Sequence, residues 1–247
     1  IFPVVKRICA RIMEPEQLYQ SPTDMGVNRV GFAISDDRVV REASIQEIIR
    51  RYFRYMADYA TGTADKAAVD RVKLLMDDLG VTELDRKVVA PARKAAKEAE
   101  TQGKGNNNVY CGAALELPDG TIVTGKNSPL LHAASSCILN AIKLLAKLPD
   151  DLLMLSPEVI DSVSQLKKNV FKNREVSLDL AETLTALSVS VPTNSAARLA
   201  MRKLPQLAGC EMHISHLPTA GDEAGLRKLG IRLTSEPVFT SRNLFME

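Results

Sequence analysis

The alternation of apolar and polar positions changes rhythm twice between residues 109 and 148. Residues 109–117 form an apolar run with little charge, Pro118-Asp119-Gly120 is a turn signal, and residues 121–125 are a second, β-branched run. This pattern predicts a hairpin. Lys126, Asn127, Ser128 and Pro129 are poor continuations of either strand. From Leu131 onward apolar residues return at helical spacing, at Ile138, Ile142 and Leu145, with Leu139 and Leu144 beside them. The unit therefore reads as strand, tight turn, strand, polar loop and helix. The loop and helix start are a natural place for a site, because the first turn of a helix leaves backbone N–H groups unpaired and carries the positive end of the dipole.

Upstream, residues 2–13 read as a short amphipathic helix with Val5, Ile8, Ile12 and Met13 on one side. Residues 14–28, broken by Pro15, Pro22 and Gly26, read as an ordered loop. Residues 30–34 and 38–40, joined by Ser35-Asp36-Asp37, read as a hairpin. Ser44-Ile45-Gln46-Glu47 is a capping-box pattern, so a helix is expected from there to about Ala60. A second helix over 64–79 stops at Gly80, and Thr82 with Asp85 opens a third that runs to about Thr101, kinked at Pro91. Residues 103–108, GKGNNN, are the strongest linker signal and divide the chain into parts 1–102 and 103–247.

Downstream, Ser156-Pro157-Glu158 starts a helix with Pro in its favoured first position. Residues 178–187 read as helix, 189–191 are β-branched and ambiguous, and 194–204 read as a helix ended near Pro205. Residues 210–215 and 231–234 read as strands on either side of a helix over 220–229, closed by Gly230. That order is the pattern of a parallel crossover. The expected fold class is α/β: a helical N-terminal part with a small hairpin, then a three-layer α/β/α subdomain whose sheet is one hairpin plus two parallel additions.

Composition narrows the function classes. Apolar residues make up 45% of the 247, enough for a sizeable core, but aromatics are only 4%. Thirty-two basic residues against 30 acidic ones leave a net charge of +2, with no electrostatic footprint for nucleic acid. No apolar run reaches the roughly 18 residues that span a bilayer, and no signal-peptide pattern is present. Cys9, Cys111, Cys137 and Cys210 form no CxxC pair and read as small buried hydrophobes in a reduced, cytoplasmic setting. The chain opens with Ile-Phe-Pro and is expected to be a fragment of something longer.

Two resemblances follow from these residues. The order helix, strand, Asp-Gly turn, strand, loop, then His132-Ala133-Ala134 at a helix start resembles the cytidine-deaminase-like fold. That fold carries a His-x-Glu at this point and a Pro-Cys-x-x-Cys where Pro192-Thr193-Asn194-Ser195-Ala196 stands. Only the His is retained, so the resemblance implies a scaffold without its zinc ligands and without the proton-moving Glu. The second resemblance covers nearly the whole chain. SPTDMGVN (residues 21–28), REASIQEIIRRY (41–52), LPDGTIVTGKNSPLL (117–131), LSPEVI (155–160) and RKLGIRLTSEPVF (227–239) resemble the C-terminal half of a bacterial family, the domain-of-unknown-function family eighteen-forty-six. Members are about twice as long, and their N-terminal half has a Gly-rich stretch similar to a phosphate-binding loop. The resemblance implies that this half lies upstream of Ile1.

Two polar loops are the candidate ligand-binding residues. In residues 21–28, Asp24 and Asn28 are placed to hold a metal-bound phosphate or a substrate hydroxyl; turn and capping roles are the alternative. Lys126, Asn127 and Ser128 precede a helix start and offer an anion site; a Ser128 cap with a solvated Lys126 is the alternative. His132 has no partner visible in the sequence and reads as a capping or hydrogen-bonded core residue. His213 and His216, three apart on a strand, point to opposite faces and make a poor metal pair. Arg50, Arg51 and Arg54 read as a solvated, ion-paired helix face, with contact to phosphates of the N-terminal half as the alternative. No catalytic residue, metal or cofactor is named by the sequence. The expected function is that of a nucleotide- or phosphate-ligand site completed by the protein's own N-terminal half. The alternative is a structural, homo-oligomeric module on a deaminase-like scaffold that has lost its chemistry.

Overall fold

The computed structural model describes residues 37–240. The helix expected over 2–13, the loop 14–28 with Asp24 and Asn28, and the first strand of the early hairpin lie outside them.

Helix α1 spans Asp37–Ala60. It takes in residues 38–40, so the expected second strand of the early hairpin is helical instead. Ser44 does not open this helix: its Oγ donates back to the Val40 carbonyl at 2.8 Å, one turn earlier in a helix already formed. Arg50 bonds Glu47 and Glu211, and Arg51 bonds Glu47, so these cations are ion-paired. Helix α2, Lys66–Leu79, is capped by Asp65, whose carboxylate accepts from Ala68 N at 2.8 Å, and ends at Gly80 with φ of 64°. Thr82 and Asp85 do form a capping box, but it encloses a single 3-10 turn, Glu83–Asp85. The chain breaks at Arg86, and α3 begins anew over Val89–Thr101. Pro91 thus lies in a first turn, where its missing N–H costs nothing, rather than kinking a continuous helix.

Arg86 explains the break. Its side chain is 1% exposed and runs under the sheet, donating to Thr234 Oγ1, Glu211 and the carbonyls of Met212 and Arg232. Beyond α3, Asn106 and Val109 exchange backbone hydrogen bonds across Asn107 and Asn108, both at positive φ (50° and 60°). This is a tight primed turn, whose left-handed positions Asn tolerates well.

Strands β1 (Gly112–Glu116), β2 (Ile122–Lys126), β3 (Glu211–Ile214) and β4 (Arg232–Ser235) form a sheet in the order β2-β1-β3-β4. β1 is antiparallel to both neighbours, and β3 and β4 are parallel. Of the two expected parallel additions, therefore, only β4 pairs in parallel. β3 runs in the direction of β2 but lies on the far side of β1, so its partner is the one reversed strand. The helices between β2 and β3 are α4 (Ala133–Leu145), α5 (Pro157–Asn169), α6 (Leu180–Ser190) and α7 (Ser195–Met201). Helix α8, Ala220–Lys228, makes the crossover from β3 to β4.

Side-chain alternation assigns the two faces. Ala113, Leu115, Val123, Met212 and Ile214 pack into the main core with Cys137, Ile138 and Ile142 of α4 and Leu226 of α8. On the other face Ala114 meets Val88 and Ala92, and the His213 ring lies 4.7 Å from that of Phe53 in α1. Each fully buried aliphatic side chain contributes about 1.5–3 kcal/mol. Two glycines permit the close approach of helices to the sheet. A Cβ on Gly112 would run into the Ala92 carbonyl and Ala96 nitrogen of α3, and one on Gly125 into the backbone of Cys137 in α4. The described residues thus form a mixed α/β fold with helices on both faces. Among them, no helix is long and apolar enough to cross a membrane.

Candidate functional site

The carboxyl ends of β2, β3 and β4 and the amino end of β1 share one edge of the sheet. Helices α4 and α8 begin there, each directly after a strand, and α6 begins beside them. In open α/β sheets this edge is where ligands bind. Here it borders a cavity of about 1380 Å³ whose walls include Cys111, Asn127, His132, Lys167, His216 and Asp222.

His132 occupies the N-cap position of α4 with extended backbone (φ −68°, ψ 159°), yet its side chain makes no capping bond. Its backbone nitrogen donates to the Leu178 carbonyl at 3.0 Å, and Ser135 Oγ donates to the same oxygen at 3.2 Å. Together with a parallel bridge between Leu131 and Leu178, these bonds staple the segment before α6 alongside the start of α4.

The His132 ring is held from α8. Its Nδ1 lies 2.7 Å from Asp222 Oδ2. That oxygen also accepts from Thr219 Oγ1 at 2.9 Å, while Oδ1 accepts from Leu180 N, at the start of α6, at 2.9 Å. One buried carboxylate, 5% exposed, therefore ties together the starts of α4, α6 and α8. Burial pushes the His132 pKa down, but the hydrogen bond and charge of Asp222, helped by Glu175, outweigh it and hold the imidazole above its ordinary value. The carboxylate assigns the proton to Nδ1, which leaves Nε2 as the acceptor of the neutral ring. Among the described residues Nε2 has no hydrogen-bond partner.

The cavity wall also carries Lys167, 6% exposed. Its ammonium donates to the Ser177 carbonyl at 2.6 Å and to Glu182 Oε2 at 2.7 Å. Glu182 and Asp179 form the capping box of α6. Lys167 and the first residue of the α4 turn thus grip adjacent carbonyls, those of Ser177 and Leu178. Cys111 borders the cavity, but burial pushes its thiol up to about 12 despite a bond from Ser215 Oγ, so it is no nucleophile near neutrality. His216 Nδ1 lies 3.0 Å from Ser215 Oγ, and burial lowers its pKa.

The residues singled out in the sequence are placed as follows. Lys126 pairs with Glu98 of α3 at 2.8 Å and lies outside the cavity lining. Asn127 does line the cavity, and its amide joins the ends of two strands: Oδ1 accepts from Cys111 N at 2.8 Å and Nδ2 donates to the Val109 carbonyl at 2.9 Å. Ser128 Oγ accepts from Leu130 N and Leu131 N, both at 3.2 Å, and closes the turn that delivers His132. His213 faces α1, with Nδ1 on Thr234 Oγ1 at 2.8 Å and Nε2 on Glu236 at 3.2 Å, away from His216. Pro192-Thr193-Asn194 is the connection into α7, where Asn194 caps by accepting from Ala196 N and Ala197 N. It does not reach the cavity. The Pro-x-x-x run that does is Pro218-Thr219-Ala220-Gly221-Asp222, at the start of α8.

Sequence reasoning missed Asp222, Thr219 and Lys167. Thr219 and Asp222 carry only a helix-start pattern in the sequence, and nothing there sets Lys167 apart from other helix lysines. The cluster His132, Thr219 and Asp222 supplies one imidazole, one hydroxyl and one carboxylate, with the carboxylate bonded directly to the ring. This is not a zinc ligand set. Among the described residues, no group of three or more His, Cys, Asp or Glu is arranged to hold a metal.

Comparison with known proteins places this chain in a family. Residues 84–245 match the profile of the C-terminal domain of unknown function DUF1846, and residues 1–80 match the profile of its N-terminal domain. The chain thus carries parts of both domains of the family. A UPF0371 protein of Clostridium botulinum (strain Alaska E43 / Type E3) is 48% identical over 99% of this chain and 48% of its own length. Those of Clostridioides difficile (strain 630) and Fusobacterium nucleatum subsp. nucleatum are 46% and 47% identical, each over 99% of this chain and 49% of their own length. The chain spans about half the length of the curated relatives it matches. With two thirds of its residues under the C-terminal profile and near half identity along its whole length, the chain belongs to the DUF1846 family.

Proposed function

We propose that the cavity at the sheet edge binds a small phosphate-bearing ligand, a nucleotide or a simpler phosphate, in a site shared with the remainder of a longer protein. The observation that carries this reading is the contrast between α4 and its neighbours. Helices α5, α6, α7 and α8 each begin with a side-chain cap, whereas α4 enters the cavity with no side-chain cap and no acid in its first turn. Its first N–H groups and dipole end suit an anion. Lys167, fixed on the adjacent Ser177 carbonyl and paired with Glu182, brings an ammonium to the same wall. Asn127 supplies a polar wall, the Lys126–Ser128 loop leads into it, and Asp24 and Asn28 are proposed to extend the site.

The scaffold is proposed to be deaminase-like. The sheet order with β1 reversed supports this, as does His132 at the start of the helix after the hairpin. So does Pro218-Thr219-x-x-Asp222 at the start of the helix after β3, with the spacing of Pro-Cys-x-x-Cys. Under this reading, a hydrogen-bonded His–Asp–Thr cluster stands where the deaminase scaffold holds its zinc.

Thermal unfolding of the full-length protein with inorganic phosphate and with nucleoside mono-, di- and triphosphates tests the reading. A ligand at a hundred times its Kd stabilises by about 2.7 kcal/mol. Lys167→Met is expected to weaken the response at least tenfold in ligand concentration while the protein still unfolds cooperatively. No response of the full-length protein to any of these ligands would overturn the reading and favour a purely structural module.

A further inference from the structure

We infer that His132 is the proton-exchanging residue of this cavity: its Nε2 takes a proton from a hydroxyl or a water at the bound ligand and returns it, with Asp222 and Thr219 as positioning residues. The inference rests on the proposal that the cavity holds a ligand, and it names the chemistry of the same site.

The geometry separates His132 from the other two histidines. His213 is fully buried and both of its ring nitrogens are engaged, by Thr234 and Glu236. It has no nitrogen left for chemistry. Among the described residues, the His216 ring is bonded only by its chain neighbour Ser215, with no carboxylate to set its tautomer. His132 has one nitrogen fixed at 2.7 Å on Asp222 and the other without a partner among the described residues, and its side chain is 18% exposed in the cavity wall. Asp222 is itself fixed by Thr219 Oγ1 and Leu180 N, so the imidazole is held against a carboxylate that cannot turn away. This is the orienting half of the arrangement by which hydrolases direct a histidine.

Neither Ser177 nor Cys111 of the cavity wall supplies the other half, a side-chain nucleophile. Ser177 Oγ donates to Glu175 at 2.6 Å, and the Cys111 thiol is held protonated by burial. The proton that His132 exchanges is assigned to the ligand or to water. A ligand anchored at the first turn of α4 lies next to the residue that begins that turn, which is His132 itself. The matching ligand class is a phosphate-bearing compound whose own hydroxyl, or a water bound beside it, gives this proton to Nε2 and takes it back.

Asp222→Asn gives a specific test. Leu180 N requires an acceptor, so the Asn oxygen replaces Oδ1 and its NH₂ group replaces Oδ2. That NH₂ then donates to His132 Nδ1 and drives the ring proton to Nε2, as in the triad case. Ring-nitrogen NMR of the full-length protein is expected to show His132 with its proton on Nδ1, and the D222N protein with its proton on Nε2. Diethyl pyrocarbonate at mildly alkaline pH, read by mass spectrometry, is expected to acylate His132 at least tenfold faster than His213. The D222N substitution should slow the His132 reaction at least tenfold with the circular dichroism unchanged. Equal rates at His132 and His213, or a His132 tautomer and rate unmoved by D222N, would overturn the inference. The same reaction run with inorganic phosphate separates the two proposals. Fast, Asp222-dependent acylation without protection by phosphate would uphold the inference and count against the phosphate ligand.

Discussion

His132 and Asp222 are 90 residues apart in the sequence, and their side chains meet at 2.7 Å. Asp222 closes three contacts from a nearly solvent-free position, so its loss strands Leu180 N and the His132 ring together. Asp222→Ala is expected to cost about 3 kcal/mol, in the range for removing one partner of buried charged hydrogen bonds. Asp222→Asn, which keeps an acceptor for Leu180 N, should cost clearly less. Urea denaturation of the three proteins checks the order.

The pH dependence of stability should carry opposite signs at two histidines. His132 is held above its ordinary pKa of about 6.5, so its contribution is fully present below that value and is lost as pH rises through the raised folded-state pKa. His213 is pushed the other way by burial, which outweighs Glu236, with Arg86 and Arg93 adding to the depression. Its contribution is present above the ordinary value and is lost as pH falls through the depressed one. The stability lost in His132→Gln should therefore shrink with rising pH, and that lost in His213→Gln should shrink with falling pH. Urea midpoints on both sides of the imidazole range measure this, and like signs would contradict the assignment.

Arg86 is the other residue on which distant elements depend, because it joins the break before α3 to β3 and β4. Arg86→Lys is expected to destabilise by about 3 kcal/mol or more. An ammonium cannot reproduce the planar fork that reaches Glu211, Thr234 and two carbonyls at once. Thermal unfolding that left Arg86→Lys at the parent melting temperature would contradict this role.

Much of this fold can be read from residue order, and the exceptions share a cause. The hairpin around Pro118-Asp119-Gly120, the helix after Leu131 and the Pro157 start are local patterns in which propensity, turn chemistry and periodicity agree. Residues 38–40 misled because a short β-branched run after acidic residues suits a strand on its own, yet here it is the exposed first turn of a helix whose packing lies further on. The third helix misled because the capping box at Thr82 is genuine, while the Arg86 side chain, aimed under the sheet, ends the turn it opens. At the site, His132 was visible as a residue type. Its carboxylate was not, since Asp222 has the same local pattern as any acid in a first helical turn. Only the crossover that sets α8 beside α4 makes that acid a partner.

Gly125 tests the packing that seats α4. A Cβ there would meet backbone atoms of Ala133 and Cys137, which cannot move aside as a flexible side chain would. Gly125→Ala is expected to destabilise by about 2–3 kcal/mol and to weaken any ligand response by displacing the first turn of α4. Calorimetric unfolding reads the first effect, and a parent-like melting temperature would contradict the contact.

The open first turn of α4 is proposed to receive the ligand. The most direct test of this proposal is the backbone amide spectrum of the full-length protein titrated with inorganic phosphate and with a nucleoside triphosphate. Saturable shifts of the Ala133, Ala134 and Ser135 amides are expected, with smaller ones at Lys167. Binding that moves other amides and leaves these three unchanged would contradict it.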